Sequence, residues 1–212
     1  MELIRGFQHF RPRHRGCVAT IGAFDGVHLG HQAVLRQLIA KGREMGLPST
    51  VVLFEPLPRE FFSPDEAPAR LMSFKEKFIA LRDLGIDRVV RISFTPDFRD
   101  MTANVFIHKL FVVGLGVKYI VVGDDLRFGR NRSGDFDLLR KVGKIDGFEV
   151  VDTSTLEVTG ERVSSTRIRE VLGSADFDLA ERLLGRPYSI SGRVIVGQQL
   201  GRTIGTPTAN ME

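Results

Sequence analysis

Short apolar runs closed by glycine or proline alternate with helix-spaced segments over residues 17–151 of this chain. Strands that alternate with helices build βαβ units, in which a parallel sheet carries helices on both faces. The pattern predicts strands at residues 17–22, 50–54, 88–92, 119–122 and 148–151. It predicts helices at residues 29–45, 73–84, 102–113, 133–142 and 165–172. We therefore expect an α/β fold with a doubly wound parallel sheet in the strand order 3-2-1-4-5.

Composition restricts the class of protein. Of the 212 residues, 42% are hydrophobic and 26% charged, as in ordinary globular chains. The longest apolar run, residues 110–117, is much shorter than the roughly 20 residues that span a bilayer, so no membrane association is expected. Cys17 is the only cysteine, which excludes an internal disulfide and favours the cytoplasm. The net charge of +4 suits small anionic substrates and gives no indication of nucleic-acid binding.

The pattern changes after residue 184. Residues 188–196 alternate like an antiparallel strand, and the glycine-rich residues that follow are too few to build a core. We expect a first domain over residues 1–184 and the beginning of a second over 185–212. A strand without its neighbours would also allow weak self-association, because an unpaired strand edge accepts a partner.

Residues 22–31, GAFDGVHLGH, lie where the first predicted strand passes into the first helix. A glycine-rich turn followed by a helix N-terminus presents backbone N–H groups to a phosphate. His28 and His31 are three residues apart on one helix face, so both can reach one anion, and Gly30 leaves room for a flat group. The chain contains no GxxxxGK[ST], no HExxH and no CxxC segment.

A second candidate phosphate site lies in residues 163–169, VSSTRIR. Ser164 or Ser165 is suited to cap the helix that follows. Ser165 and Arg169 are four residues apart and share a face, whereas Arg167 points away from it. We therefore expect Arg169, and not Arg167, to bind phosphate.

These segments resemble the signatures of a known family. His28-Leu29-Gly30-His31 resembles the HxGH signature of the nucleotidyltransferase superfamily, the longer segment resembles its form in bacterial FAD synthetases, and residues 163–169 resemble ISSTxIR. The resemblance implies that the ATP phosphates are bound by His28, His31, Ser165, Thr166 and Arg169. It implies further ATP contacts by Gly22, Phe24, Asp25 and Gly30. Asp25 would either orient this cluster or cap a helix.

Two other segments resemble the flavin-binding parts of the same family. Residues 123–129 follow the fourth predicted strand and are similar to Gly-x-Asp/Asn-Phe-x-Phe-Gly, with Leu126 in place of the usual first aromatic. Residues 54–58 resemble Phe-x-Pro-x-Pro. Strands 1 and 4 are neighbours at the switch point of such a sheet, so residues 123–129 should face the histidines across one crevice. The resemblance implies flavin contacts by Pro56, Pro58, Asp125 and Phe128.

Residues 185–210 are similar to the opening of the family's β-barrel-type riboflavin kinase domain, where Thr208 and Asn210 would hold a Mg-nucleotide. The chain ends at Glu212, so we expect a truncated kinase domain without kinase activity.

The resemblance implies an FMN adenylyltransferase that converts FMN and ATP into FAD and pyrophosphate by direct in-line attack, with Mg²⁺ bridging phosphates. Two alternatives stay open at this point. One is a nucleotidyltransferase with another phosphorylated acceptor, such as phosphopantetheine, nicotinamide mononucleotide or a phosphorylated alcohol. The other is a non-catalytic nucleotide-binding module.

Overall fold

A computed structural model describes residues 1–123, 126–153, 157–158, 161–198, 200–206, 208 and 210–211. Six parallel strands form its central sheet: β1 (Glu2–Arg5), β2 (Val18–Ile21), β3 (Ser49–Glu55), β4 (Arg88–Ser93), β5 (Tyr119–Val122) and β6 (Glu149–Asp152). Their spatial order is β1-β4-β3-β2-β5-β6. The predicted α/β fold and the order of the five predicted strands are therefore confirmed. The sequence pattern missed β1, which pairs with β4 at the sheet edge.

The helices in the described ranges are α1 (Leu29–Met45), α2 (Pro58–Phe62), α3 (Phe74–Asp83), α4 (Pro96–Arg99), α5 (Ala103–Ile107), α6 (Phe136–Asp146), α7 (Ser165–Gly173), α8 (Phe177–Leu184) and α9 (Leu200–Thr203). A π-helix, His108–Gly114, continues α5. The predicted helix over 133–142 is displaced, because Asp135 and not Ser133 caps α6. Neither α2 nor α8 was predicted.

The sheet is covered on both faces, as its apolar strands require. Successive strand residues point to opposite faces, so Val51 and Val52 of β3 belong to different clusters. On one face Val51 packs with Leu35 of α1 and Leu81 of α3. On the other face Val52 belongs to the cluster formed with α5, the π-helix and α6. This arrangement leaves the carboxyl edge of the sheet open for a ligand.

The two last helices of the first predicted domain pack together over a smaller core. Ile168 and Val171 of α7 lie with Ala180 and Leu183 of α8 and with Leu71. Through Leu71, which precedes α3, this core lies close to Gly26 in the turn between β2 and α1.

The C-terminal part differs from its prediction. Only Val194–Ile195 (β9) of the predicted strand over 188–196 is extended and paired, and its partner is Asn210–Met211 (β10) of the same chain. The β9 strand therefore has an intramolecular partner on one edge. Two further two-residue strands before α7, β7 (Glu157–Val158) and β8 (Glu161–Arg162), pair in antiparallel orientation. Within the described ranges, no helix is long and apolar enough to cross a membrane.

Candidate active site

The turn between β2 and α1, residues 22–28, is called the phosphate turn below, after the ligand that its sequence predicts. Phe24 and Val27 have φ angles of 46° and 42°, in the left-handed region that non-glycine residues rarely adopt. Gly26 has φ 81°, and a Cβ there would lie 2.9 Å from a methyl carbon of Leu71. Only glycine fits this position. Backbone strain of this kind persists where surrounding contacts hold it, and it is concentrated at functional sites.

His28 and His31 lie side by side at the start of α1. Their rings stack with centroids 3.6 Å apart and planes 18° from parallel. His28 caps the helix, because its Nδ1 accepts a hydrogen bond of 3.2 Å from the backbone N–H of His31. Neutral His28 therefore carries its proton on Nε2, which can donate to a ligand. The buried Nδ1 of His31 has no hydrogen-bond partner within the described part of the chain.

Both imidazoles are neutral at pH 7. Burial, with the cations of Arg162 and Arg186, lowers the pKa of His28 to about 4. Burial, His28 and the Lys77 ammonium hold the pKa of His31 well below its ordinary value. The positive charge near the turn therefore comes from lysine and arginine, and an anion that entered would favour protonation of the histidines.

Asp25 joins the phosphate turn to the second signature. Its carboxylate is almost fully buried and accepts hydrogen bonds from the backbone N–H groups of Leu71 (3.1 Å) and Met72 (3.2 Å). It also forms an ion pair with Nη2 of Arg169, whose Nε donates to the Ala69 carbonyl over 2.6 Å. Of the two roles left open for Asp25, the contacts are those of an orienting residue.

The N-terminus of α7 meets the same turn. Ser164, not Ser165, is the N-cap, and its Oγ accepts from the N–H of Arg167. The Ser165 hydroxyl donates to the Asp25 carbonyl over 2.9 Å. Thr166 is exposed, and Arg167 lies 3.5 Å from Glu170 on the same helix. The structure therefore brings Ser165 and Arg169 to the phosphate turn.

A cavity of about 730 Å³ opens at the carboxyl edge of β3, β4 and β5, the edge that also carries the phosphate turn. Phenylalanines dominate one wall: Phe54, Phe62, Phe94, Phe98, Phe106 and Phe128. Pro58 and Phe128 line the cavity as expected for flavin contacts, whereas Pro56 is exposed and outside its lining. Asp125 lies outside the described residues. Five arginines also line the cavity: Arg59, Arg99, Arg127, Arg130 and Arg132.

A half-buried ion-pair network fixes the helix α2, whose residues Pro58, Arg59 and Phe62 line this cavity. Arg70 binds the carboxylate of Glu60 through both Nε and Nη2, and its Nη1 reaches Glu55 at the end of β3. Glu60 is part of α2 and also accepts from the N–H of Leu57 over 2.9 Å. No motif in the sequence marks Arg70, although its pairing with Glu60 and Glu55 fixes the position of α2.

Of the two candidate kinase residues, Thr208 is not part of the cavity lining. Thr208 is exposed, and Asn210 belongs to β10, with its side chain outside what the structure describes. In the ranges that the structure describes, no group of three or more His, Cys, Asp or Glu side chains could hold a metal ion.

Comparison with known proteins decides the family. The FAD synthetase family model matches residues 10–167, which include the first phosphate signature, residues 163–167 of the second and the whole cavity lining. The chain belongs to the FAD synthetase family. The riboflavin kinase family model matches residues 184–212.

Relatives of this chain are similar to it along its whole length. It is 53% identical to the bifunctional riboflavin kinase/FMN adenylyltransferase of Pseudomonas fluorescens and 50% identical to that of Escherichia coli K12. Each alignment covers 100% of this chain and 68% of the relative. A solved structure described as a macrolide-efflux protein from Streptococcus pneumoniae has a TM-score of 0.80 at 28% identity, over 99% of this chain and 68% of that one.

Proposed function

We propose that this chain is an FMN adenylyltransferase, which converts FMN and ATP into FAD and pyrophosphate. The observation that carries the proposal is the contact of Asp25 with Arg169, which joins the two phosphate signatures at the sheet edge where the phenylalanine-lined cavity opens. The named activities of the relatives agree with it.

The reaction needs no nucleophile from the enzyme. A phosphate oxygen of FMN attacks the α-phosphorus of ATP, a P–O bond forms, and the bond to the β-phosphate bridging oxygen breaks as pyrophosphate leaves. Catalysis then consists of positioning and of stabilising the charge that moves toward the leaving group. In this proposal, Nε2 of His28 donates a hydrogen bond to the ATP phosphates. The buried, unpartnered Nδ1 of His31 contacts the same phosphates, and Arg169 supplies a fixed positive charge beside them.

The other predicted ATP contacts have different parts in this proposal. Ser165 holds the turn through the Asp25 carbonyl, and exposed Thr166 donates to the triphosphate. Gly30 allows the nucleotide to approach the backbone, since a Cβ there would lie 3.2 Å from the His28 ring and 3.4 Å from the Val163 carbonyl. Gly22 and Phe24 shape the turn on which the nucleotide lies.

The flavin occupies the phenylalanine-lined cavity in this proposal. Flat aromatic and aliphatic surfaces suit an isoalloxazine ring, and arginines suit the phosphate of FMN. Pro58 and Phe128 form part of the lining, while flavin contacts by Pro56 and Asp125 stay predictions.

Mg²⁺ is proposed to enter with ATP as the metal–nucleotide substrate. The described residues do not form a metal cage, and Asp25 is already engaged by Arg169 and two backbone amides. Mg²⁺ commonly keeps several waters and is held by substrate phosphates, so a protein cage is not required.

Several predictions of the sequence analysis stay predictions: the domain boundary between 184 and 185, a cytoplasmic location, weak self-association, the absence of nucleic-acid binding, and the absence of riboflavin kinase activity with Thr208 and Asn210 as would-be Mg-nucleotide ligands.

The test is incubation of the chain with ATP and Mg²⁺ and one acceptor at a time, followed by chromatography. FMN should yield FAD, and riboflavin should yield no FAD. Phosphopantetheine and nicotinamide mononucleotide serve as acceptors for the alternative nucleotidyltransferases. Unchanged FMN with folded protein, or turnover of either alternative acceptor in preference to FMN, would contradict the proposal.

A further inference from the structure

The carbonyl groups of the phosphate turn are held by side chains from four separate parts of the fold. Lys77 of α3 donates to the Ala23 carbonyl over 2.7 Å, and Ser165 of α7 donates to that of Asp25. Gln32 of α1 donates to the Val27 carbonyl over 3.0 Å. Arg186, which follows α8, donates to the Gly26 carbonyl over 2.8 Å.

This pairing fixes which side of the peptide planes faces the ligand. A peptide plane whose carbonyl is tied toward the protein turns its N–H to the opposite side. The planes held by Lys77 and Ser165 carry the N–H groups of Phe24 and Gly26, and within the described part of the chain neither group donates to a backbone acceptor. The plane held by Arg186 carries the Val27 N–H, which closes the turn by donating to the Phe24 carbonyl over 3.2 Å. Lys77 and Ser165 therefore fix planes that present amide groups, and Arg186 fixes the plane that closes the turn.

Arg186 is the donor that connects the two matched families. It lies outside the FAD synthetase match and inside the riboflavin kinase match, which begins at residue 184. The half-buried guanidinium also contacts Sδ of Met72 at 3.4 Å, and Met72 binds the Asp25 carboxylate through its N–H. Gln32 donates to the Leu184 carbonyl as well, so α1 is tied to the same segment.

The backbone at Gly185 lies directly against α1 and leaves no room for a side chain. Gly185 has φ 73°, and a Cβ at this position would lie 2.6 Å from a methyl carbon of Leu29. Leu29 directly follows His28, so the chain entering the kinase-type segment contacts the first turn of α1.

We propose that Arg186 is a positioning residue for ATP: by holding the Gly26 carbonyl, the first residues of the riboflavin kinase segment complete the adenylyltransferase site. The inference rests on the proposed function for its activity readout. The Arg186 cation also helps to lower the pKa of His28, which agrees with its position beside the histidine pair.

The test compares Arg186→Met, which keeps the apolar stem, with Arg182→Met, an exposed arginine four residues earlier on α8. Arg186→Met should raise the KM for ATP about tenfold, as expected for one lost charge-assisted hydrogen bond, and leave the KM for FMN unchanged. Arg186→Lys should recover most of the loss, because an ammonium can still donate to the Gly26 carbonyl. Arg182→Met should match the wild type.

A purely structural role would lower the fraction of active enzyme, and hence kcat, without changing the KM for ATP. That result, or an equal effect of Arg182→Met, would overturn the inference. If Arg186→Met does not fold, Arg186→Gln is measured instead, and an unchanged KM for ATP there has the same meaning. Failure of the wild-type chain to form FAD would count against the proposed function. If the wild type is active and Arg186→Met has an unchanged KM for ATP, the result counts against this inference alone.

Discussion

Arg169 and Asp25 form an ion pair although 144 residues separate them in the chain. The Asp25 side chain is 3% exposed and that of Arg169 is 22% exposed, so water screens the pair only weakly. Through it, the start of α7 and the phosphate turn become one structural unit, and the position of the Arg169 guanidinium is fixed.

Replacing Asp25 by Asn should therefore reduce both stability and activity. The amide keeps the shape but leaves the Arg169 cation without its counterion, at a cost of about 3 kcal/mol in the free energy of unfolding. Urea titration measures the stability, and steady-state kinetics should show a lower kcat/KM for ATP. Asp83→Asn, in the exposed pair with Arg82, is the matched control and should change little. Equal effects of the two variants would contradict the role of the ion pair.

His31→Ala and Arg169→Ala should each lower kcat by roughly 10²-fold, because each removes a group that stabilises charge moving to the leaving pyrophosphate. ATP binding, measured by calorimetry, should weaken less than kcat falls. Arg167→Ala should be much milder, since its guanidinium lies beside Glu170 on α7. Kinetics in which Arg167→Ala is the most damaging variant would refute the assignment of Arg169.

Acid should destabilise the protein through His28. Its pKa is about 4 in the folded chain and near 6.5 when unfolded, so the unfolded chain binds the proton more readily. The stability that neutral His28 confers is complete above pH 6.5 and is lost as the pH falls toward 4, by about 1.4 kcal/mol per pH unit. His28→Asn keeps a helix-capping side chain and should show a flatter pH dependence of unfolding. Identical slopes for wild type and variant would rule out this source of acid sensitivity.

The cavity wall can be tested without disturbing the core. Phe62 lines the cavity and is 59% exposed, and Phe177 of α8 is also 59% exposed but lies outside the lining. Phe62→Ala should raise the KM for FMN by roughly tenfold through lost aromatic contact, with the KM for ATP unchanged. Phe177→Ala should leave both constants as in the wild type. A rise in the KM for ATP alone would place the flavin elsewhere.

The local sequence pattern predicted the strands β2 to β6 but not the edge strand β1. The runs that became β2 to β6 are closed by turn residues and could be predicted. Residues Glu2–Arg5 show no periodicity, and their strand conformation depends on β4, with Ile4 opposite Val90. Glu2 is held by Arg13 (2.8 Å) and His14 (3.0 Å), contacts that no local rule anticipates.

The candidate site shows the same division. His28, His31, Ser165 and Arg169 belong to segments whose spacing and resemblance indicate phosphate binding. The backbone carbonyls of the turn accept hydrogen bonds from Lys77, Gln32 and Arg186. Because every residue has a carbonyl, no residue type in the sequence indicates where these side chains bind. The helix α8, by contrast, carried usable signals: Asp176 caps its start, and Gly185 ends it in the left-handed conformation.

In the proposed reaction, the α-phosphorus of ATP is transferred to the phosphate of FMN. ATP labelled in the α-phosphate or, separately, in the γ-phosphate is followed during turnover with unlabelled FMN. The α label should appear in FAD and the γ label in pyrophosphate. A γ label in any flavin, or an α label that never leaves the adenosine nucleotides, would contradict it.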